Sequence, residues 1–161
     1  MSYEKLLRKA DSEGLIVKEK NLLNNDGLIS NNRIAIRKTI DTQAEKSCVL
    51  AEELGHHYTS YGNILDQSKA ANRKQEYRAR LYGYNLQIGL LGIIRAYEHG
   101  CKNLHEMAEF LEVTEEYLRE AIKCYRSKYG EYMVVDNYVV YFIPCLAVLR
   151  MADKLIMREV R

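Results

Sequence analysis

Two glutamates and two histidines stand together in Leu50-Ala51-Glu52-Glu53-Leu54-Gly55-His56-His57. Residues four apart on a helix share a face, so Glu52 and His56 form one stripe and Glu53 and His57 the next. The helical zinc-hydrolase motif His-Glu-x-x-His uses this spacing. Its two imidazoles hold the ion, and the glutamate after the first is the general base to water. Here His56 and Glu53 fill the second-ligand and base positions, and Glu52 stands where the first imidazole would be. A carboxylate oxygen at 52 can reach the same ion as His56.

A catalytic zinc takes three protein ligands and keeps one position open. In helical zinc proteases whose third ligand is a glutamate, that residue lies on a following helix some twenty positions on. Glu76 stands at that distance from His56. The expected metal set is therefore Glu52, His56 and Glu76, with Glu53 as the catalytic base. Two histidines and one carboxylate leave a zinc site at about +1, whereas one histidine and two carboxylates leave it near zero. A less positive centre acidifies its water less, and the harder donor set shifts preference toward manganese or iron. One divalent metal is expected, zinc first, with manganese or iron as alternatives. His56 and His57 are about 100° apart around a helix, so the two do not share an ion. Cys48, one turn before Glu52, is conceivable as a thiolate ligand.

The elements that must position these groups are legible in outline. Residues 3 to 12 read as an amphipathic helix with Leu6, Leu7 and Ala10 on one side. Leu15-Ile16-Val17 reads as a strand, and residues 27–30 and 33–36 as a hairpin around Asn31-Asn32. About three strands in a small antiparallel sheet are expected, with residues 21–26 as loop. Thr42 and Glu45 have capping-box spacing and open a helix from about 42 to 60, with Val49, Leu50 and Leu54 on its apolar face. Residues 62–66 read as loop. A long helix is expected from Ala70 to Glu98, interrupted only by permissive glycines, and Gly100 ends it. Two short helices follow, 104–108 and 114–125, the second capped by Thr114. Residues 132–135 and 138–142 form a last hairpin candidate around Asp136-Asn137.

The 161 residues suit one domain with a sizeable core. A charged fraction of 29% and a formal net charge of +2 point to no particular affinity for nucleic acid or membrane. No apolar run reaches the roughly 18 residues of a membrane span. No apolar stretch like that of a signal peptide follows Met1-Ser2-Tyr3-Glu4-Lys5, so a cytoplasmic location is expected. Cys48, Cys101, Cys124 and Cys145 form no Cys-x-x-Cys pair and are read as buried free thiols.

The order of elements and four local motifs resemble the ImmA/IrrE family of metallopeptidases, over about residues 3 to 150. Cys48 to His57 is similar to that family's helix bearing Leu-Ala-His-Glu-Leu-Gly-His. Gln75-Glu76-Tyr77-Arg78-Ala79 looks like the Glu-x-x-Ala segment that supplies its glutamate ligand. Residues 104–114 look like its helix-turn-helix piece, and residues 138–142 resemble its late strand. The resemblance implies Glu53 as base and His56 and Glu76 as ligands, with Glu52 replacing the family's histidine. It also implies an α+β, mainly helical, zincin-like single domain over 1–161, with the metal site in 1–100. Residues 101–161 would then hold a helix-turn-helix-like part with a C-terminal hairpin. Members on prophages and mobile elements typically cleave a helix-turn-helix repressor, so the implied activity is metal-dependent endopeptidase cleavage of such a partner.

Two other functions are carried beside it. One is a degenerate peptidase that binds the repressor without cutting it. The other is a DNA-binding regulator using residues 103 to 123. Direct DNA binding is not expected: the second helix opens on Thr114-Glu115-Glu116, and residues 106–120 hold six glutamates against Arg119. A duplex would repel that face. Arg73, Lys74, Arg78 and Arg80 read as the solvated face of the long helix.

Overall fold

The computed structural model describes residues 1–60 and 70–151, and the expected loop at 62–66 lies outside them. The fold is α+β and mainly helical, with two small sheets. Helix α1 (Tyr3–Ser12) starts where the Ser2 side chain accepts from the Lys5 amide at 3.4 Å. Strands β1 (Ile16–Lys20), β2 (Gly27–Ser30) and β3 (Arg33–Arg37) form the first sheet, in the order β1-β3-β2. β2 and β3 make the expected antiparallel hairpin, turning at Asn31 with φ of 54°. β1, however, runs parallel to β3, Ile16 opposite Arg33, so the sheet is mixed and not antiparallel throughout. The reason is the route of the chain. The 21–26 loop carries it across the sheet, so that β2 comes back on the far side of β3 and β1 takes the near side. Alternation along β3 buries Ile34 and Ile36 against Leu6, Ala10, Leu50 and Leu54.

Helix α2 (Gln43–Thr59) begins as expected, with the Thr42 side chain accepting from the Glu45 amide at 3.1 Å. The long helix is two helices, α3 (Ala70–Gln87) and α4 (Gly89–His99). Gly89 is not merely tolerated. Its φ of +62° turns the chain into a conformation that side chains disfavour, and its amide donates to the Tyr125 hydroxyl at 3.2 Å. Helices α5 (Leu104–Leu111) and α6 (Glu115–Tyr129) meet through Glu112, whose φ of 58° is the left-handed turn where such units often carry glycine. The C-terminal hairpin, β4 (Tyr132–Val135) with β5 (Tyr138–Tyr141), gains a third antiparallel strand, β6 (Ala147–Arg150).

Two cores result. One joins α1, the first sheet and α2; the other joins α4, α5, α6 and the second sheet. All four cysteines are free, but only Cys48 and Cys124 are buried; Cys101 is half-buried and Cys145 exposed. Among the described residues, no helix is long and apolar enough to cross a membrane.

Candidate metal centre

The site is built where α2 crosses α3, and the crossing is set by small residues. A Cβ on Gly55 would lie 2.1 Å from the Ala79 carbonyl oxygen, and one on Gly83 would lie 3.0 Å from that of Ala51. Ala51 and Gly55 share one face of α2, and Ala79 and Gly83 one face of α3, so the helices approach to backbone contact. Glycine within a helix costs about 1 kcal/mol relative to alanine, which this contact must offset. The approach has a direct consequence. His56, the neighbour of Gly55, faces Glu76, one turn before Ala79, with Nε2 and Oε2 3.6 Å apart.

That separation is informative. Two donors each 2.0–2.1 Å from one tetrahedral zinc lie about 3.3 Å apart. His56 and Glu76 therefore fit as neighbouring ligands of one ion with a small adjustment. Both are half-buried, at 24% and 25% side-chain exposure. On the other side of the ring, Nδ1 of His56 lies 3.4 Å from the Ser60 hydroxyl, the kind of outer partner that steadies a ligating imidazole.

Glu53 lies on the sheet side of α2, against the start of β2. A Cβ on Gly27 would come within 2.6 Å of its Oε1 and 2.8 Å of its Cγ, so glycine makes room for the carboxyl. Burial, reinforced by the charges of Glu52 and Glu76, pushes its pKa up to about 7. Glu52 is also half-buried, and burial raises its pKa too; the Arg80 guanidinium opposes that shift.

Arg80, like Arg73, Lys74 and Arg78, is exposed, as expected for the outer face of the helix. Its Nε donates to Glu76 Oε1 at 2.7 Å, and its charge is felt at Glu52. One oxygen of Glu76 is thus held by Arg80 while the other faces His56. Among the described residues, no three His, Cys, Asp or Glu side chains converge on a single point. His56 and Glu76 meet; Glu52 feels the charges of Arg80 and Glu76 without joining the pair at one point. His57 is exposed, its ring edge-on to Tyr58 at 4.8 Å between centroids. Cys48 is buried, and that burial pushes its thiol up to about 11.

Ser60 and Arg80 lie four residues after His56 and Glu76, so helical spacing was the signal that could have found them, whereas nothing local ties Gly27 to the motif. The usable signal was Gly55 with Gly83, two helical glycines whose cost is justified only by a close neighbour. In comparisons with known proteins, no family model, curated protein or solved structure matches the chain.

Proposed function

We propose that the protein is a metal-dependent endopeptidase whose centre comprises Glu52, Glu53, His56 and Glu76. The observation that carries this reading is the meeting of His56 with Glu76, from separate helices, at a distance two ligands of one ion would keep. His56 and Glu76 would hold a divalent metal, zinc, manganese or iron, with Glu52 as the further carboxylate donor. When bound, the metal would polarise the scissile carbonyl and acidify water.

The chain's own groups supply the rest. Glu53 is beside that pair without belonging to it, and its proton affinity near neutrality suits a group that takes a proton and returns it. It would accept a proton as water adds to the carbonyl carbon. It would then deliver that proton to the amide nitrogen as the C–N bond breaks. β2 is an edge strand of its sheet and lies against Glu53 at Gly27. An extended substrate segment adding to that edge would bring a peptide bond alongside the carboxyl. The choice of a helix-turn-helix repressor as substrate rests on the likeness to ImmA/IrrE peptidases.

A second reading has its own support. Arg80 already neutralises Glu76, and no three donor side chains converge among the described residues; both favour a peptidase-like module that grips the repressor without cutting it. Incubation with zinc, manganese or iron and the repressor encoded beside this chain separates the two. A discrete fragment on gel and by mass spectrometry, lost in Glu53→Gln, is the expected result. Stoichiometric binding with no fragment under any of the metals overturns the peptidase in favour of the module. In either reading the acidic start of α6, Glu115 and Glu116, argues against sequence-specific DNA binding.

A further inference from the structure

The first sheet sorts its charged side chains by sign. Side chains alternate across a strand, so β1 turns Lys18 and Lys20 outward and Glu19 inward, where Glu19 meets Lys46 of α2 at 2.9 Å. β3 turns Arg33 and Arg37 to the same outer side, away from the core that Ile34 and Ile36 enter. The register sets Lys20 directly across from Arg37, a like-charge pairing that costs a sheet stability. Asp26 neutralises Arg37 at 3.0 Å. Lys18, Lys20 and Arg33 have no ion-pair partner among the described residues. Apolar side chains lie between these cations. Ile16 stands across from Arg33, and Ala35 is flanked by Lys18 on one side and Leu28 on the other. Ile16 and Leu28 are 45% and 47% exposed, and the cations and apolar groups together line a groove of about 470 Å³.

We propose that this outer face is a docking surface for an acidic polypeptide segment that carries carboxylates and apolar side chains together. Charge complementarity decides the partner: three cations without an anion of their own surround a floor that apolar side chains can cover. Lysines on an edge strand also deter strand pairing. That role leaves out Arg33, which lies on the central strand, and the exposed Ile16 and Leu28, which invite the association that the lysines would prevent. A nucleic acid fits less well, because the face has no aromatic side chain on which a base could stack. The inference is independent of the metal centre. Glu53 meets Gly27 on the opposite side of the sheet, so the surface serves a partner that is cut as well as one that is only held.

The test uses the full chain in EDTA, so that any bound metal neither cuts nor contributes. Fluorescence anisotropy follows a labelled peptide of repeated Glu-Ser-Leu-Ser, which presents carboxylates and apolar groups on one side when extended. Its Gln-Ser-Leu-Ser counterpart and labelled oligothymidylate are run beside it. The acidic peptide should bind, and binding should weaken as salt rises. Joint replacement by Lys18→Gln, Lys20→Gln and Arg33→Gln should weaken it by at least about tenfold. Leu28→Ser should cost about threefold through the lost apolar contact. Arg126→Gln, an exposed cation on α6, should stay within about twofold of wild type. Carbodiimide coupling of the wild-type chain, mapped by mass spectrometry, should join the peptide's glutamates to Lys18 or Lys20, which tests the surface without relying on a variant's folding. Equal binding of the glutamine peptide, a triple variant that binds like wild type, or coupling confined to other lysines overturns the proposal. So does oligothymidylate binding that the triple variant loses while the acidic peptide does not bind, which would make this a nucleic-acid face.

Discussion

Helices α2 and α6 both carry a row of glutamates, and the two rows meet different fates. On α6, Glu115 is paired with Arg119 and Glu120 with Lys123, all on the helix's own solvent side. Exposed pairs of this kind contribute little, because water screens them and two long side chains must be ordered. On α2, Glu52 and Glu53 are half-buried under β2 and beside α3, and their ionised forms are penalised. The same side chain is inert on one helix and chemically poised on the other. The difference lies in what covers it, not in the residue.

The comparison breaks most sharply at the base. For the proposed endopeptidase, Glu53→Gln should lower cleavage of a helix-turn-helix repressor by at least about a hundredfold, since an amide cannot accept the proton, while metal content and circular dichroism stay as in wild type. Glu116→Gln on α6 should change the rate less than about twofold, the order expected for an exposed charge. Equal losses from the two changes would erase the distinction between the helices.

Next in size is the crossing that creates the α2 environment. Gly55→Ala places a methyl 2.1 Å from a backbone oxygen that cannot swing away. Urea unfolding should show a loss of about 3 kcal/mol, at the upper end for overpacking, together with weakened metal uptake. A loss below about 1 kcal/mol would mean the helices separate at little cost.

A smaller effect follows from the raised pKa of Glu53. In metal-free buffer the native state holds a proton here up to about pH 7, whereas the unfolded chain releases it near the ordinary glutamate value of 4.5. The native state binds more protons between those values, so this contribution to stability is intact below about pH 4.5 and is lost as pH rises through 7. Glu53→Gln has no proton to lose. Its advantage over wild type should grow by about 2 kcal/mol across that window, allowing for partial solvation, as read from melting curves at several pH values. A gap that does not change with pH would show that Glu53 is solvated like the glutamates of α6.

The smallest change links the two regions. Tyr117 of α6 is buried, and its hydroxyl has no hydrogen-bond partner among the described residues; it lies against Gly83 of α3. Removing an unsatisfied buried hydroxyl relieves its desolvation cost, so Tyr117→Phe should stabilise by up to about 1 kcal/mol in urea titration. A clear destabilisation would reveal a bond that this hydroxyl makes.

Local signals carried well from sequence to structure. Side-chain caps at Thr42, Asn103 and Thr114 are contacts over three residues, so the starts of α2, α5 and α6 were readable from residue type alone. The stripe that puts Glu52 with His56 is likewise a property of one helix, as is the hairpin at Asn31. Choices between distant partners were not readable. Whether β1 lies parallel to β3, and whether Ala147–Arg150 adds a strand to the second hairpin, depends on chain paths no short window contains. The same limit explains Gly89, which looks permissive in a helical pattern until Tyr125, on α6, supplies the bond that holds the break.

The candidate site divides along the same line. Residue order alone determined that Glu52, Glu53 and His56 share a helix end, because helical period is a local constraint. The fold decided that Glu76 reaches His56 and that Gly27 leaves room for Glu53. Each of those depends on how closely α2, α3 and β2 approach. That closeness is set by packing of small residues across elements, and no spacing along the chain encodes it.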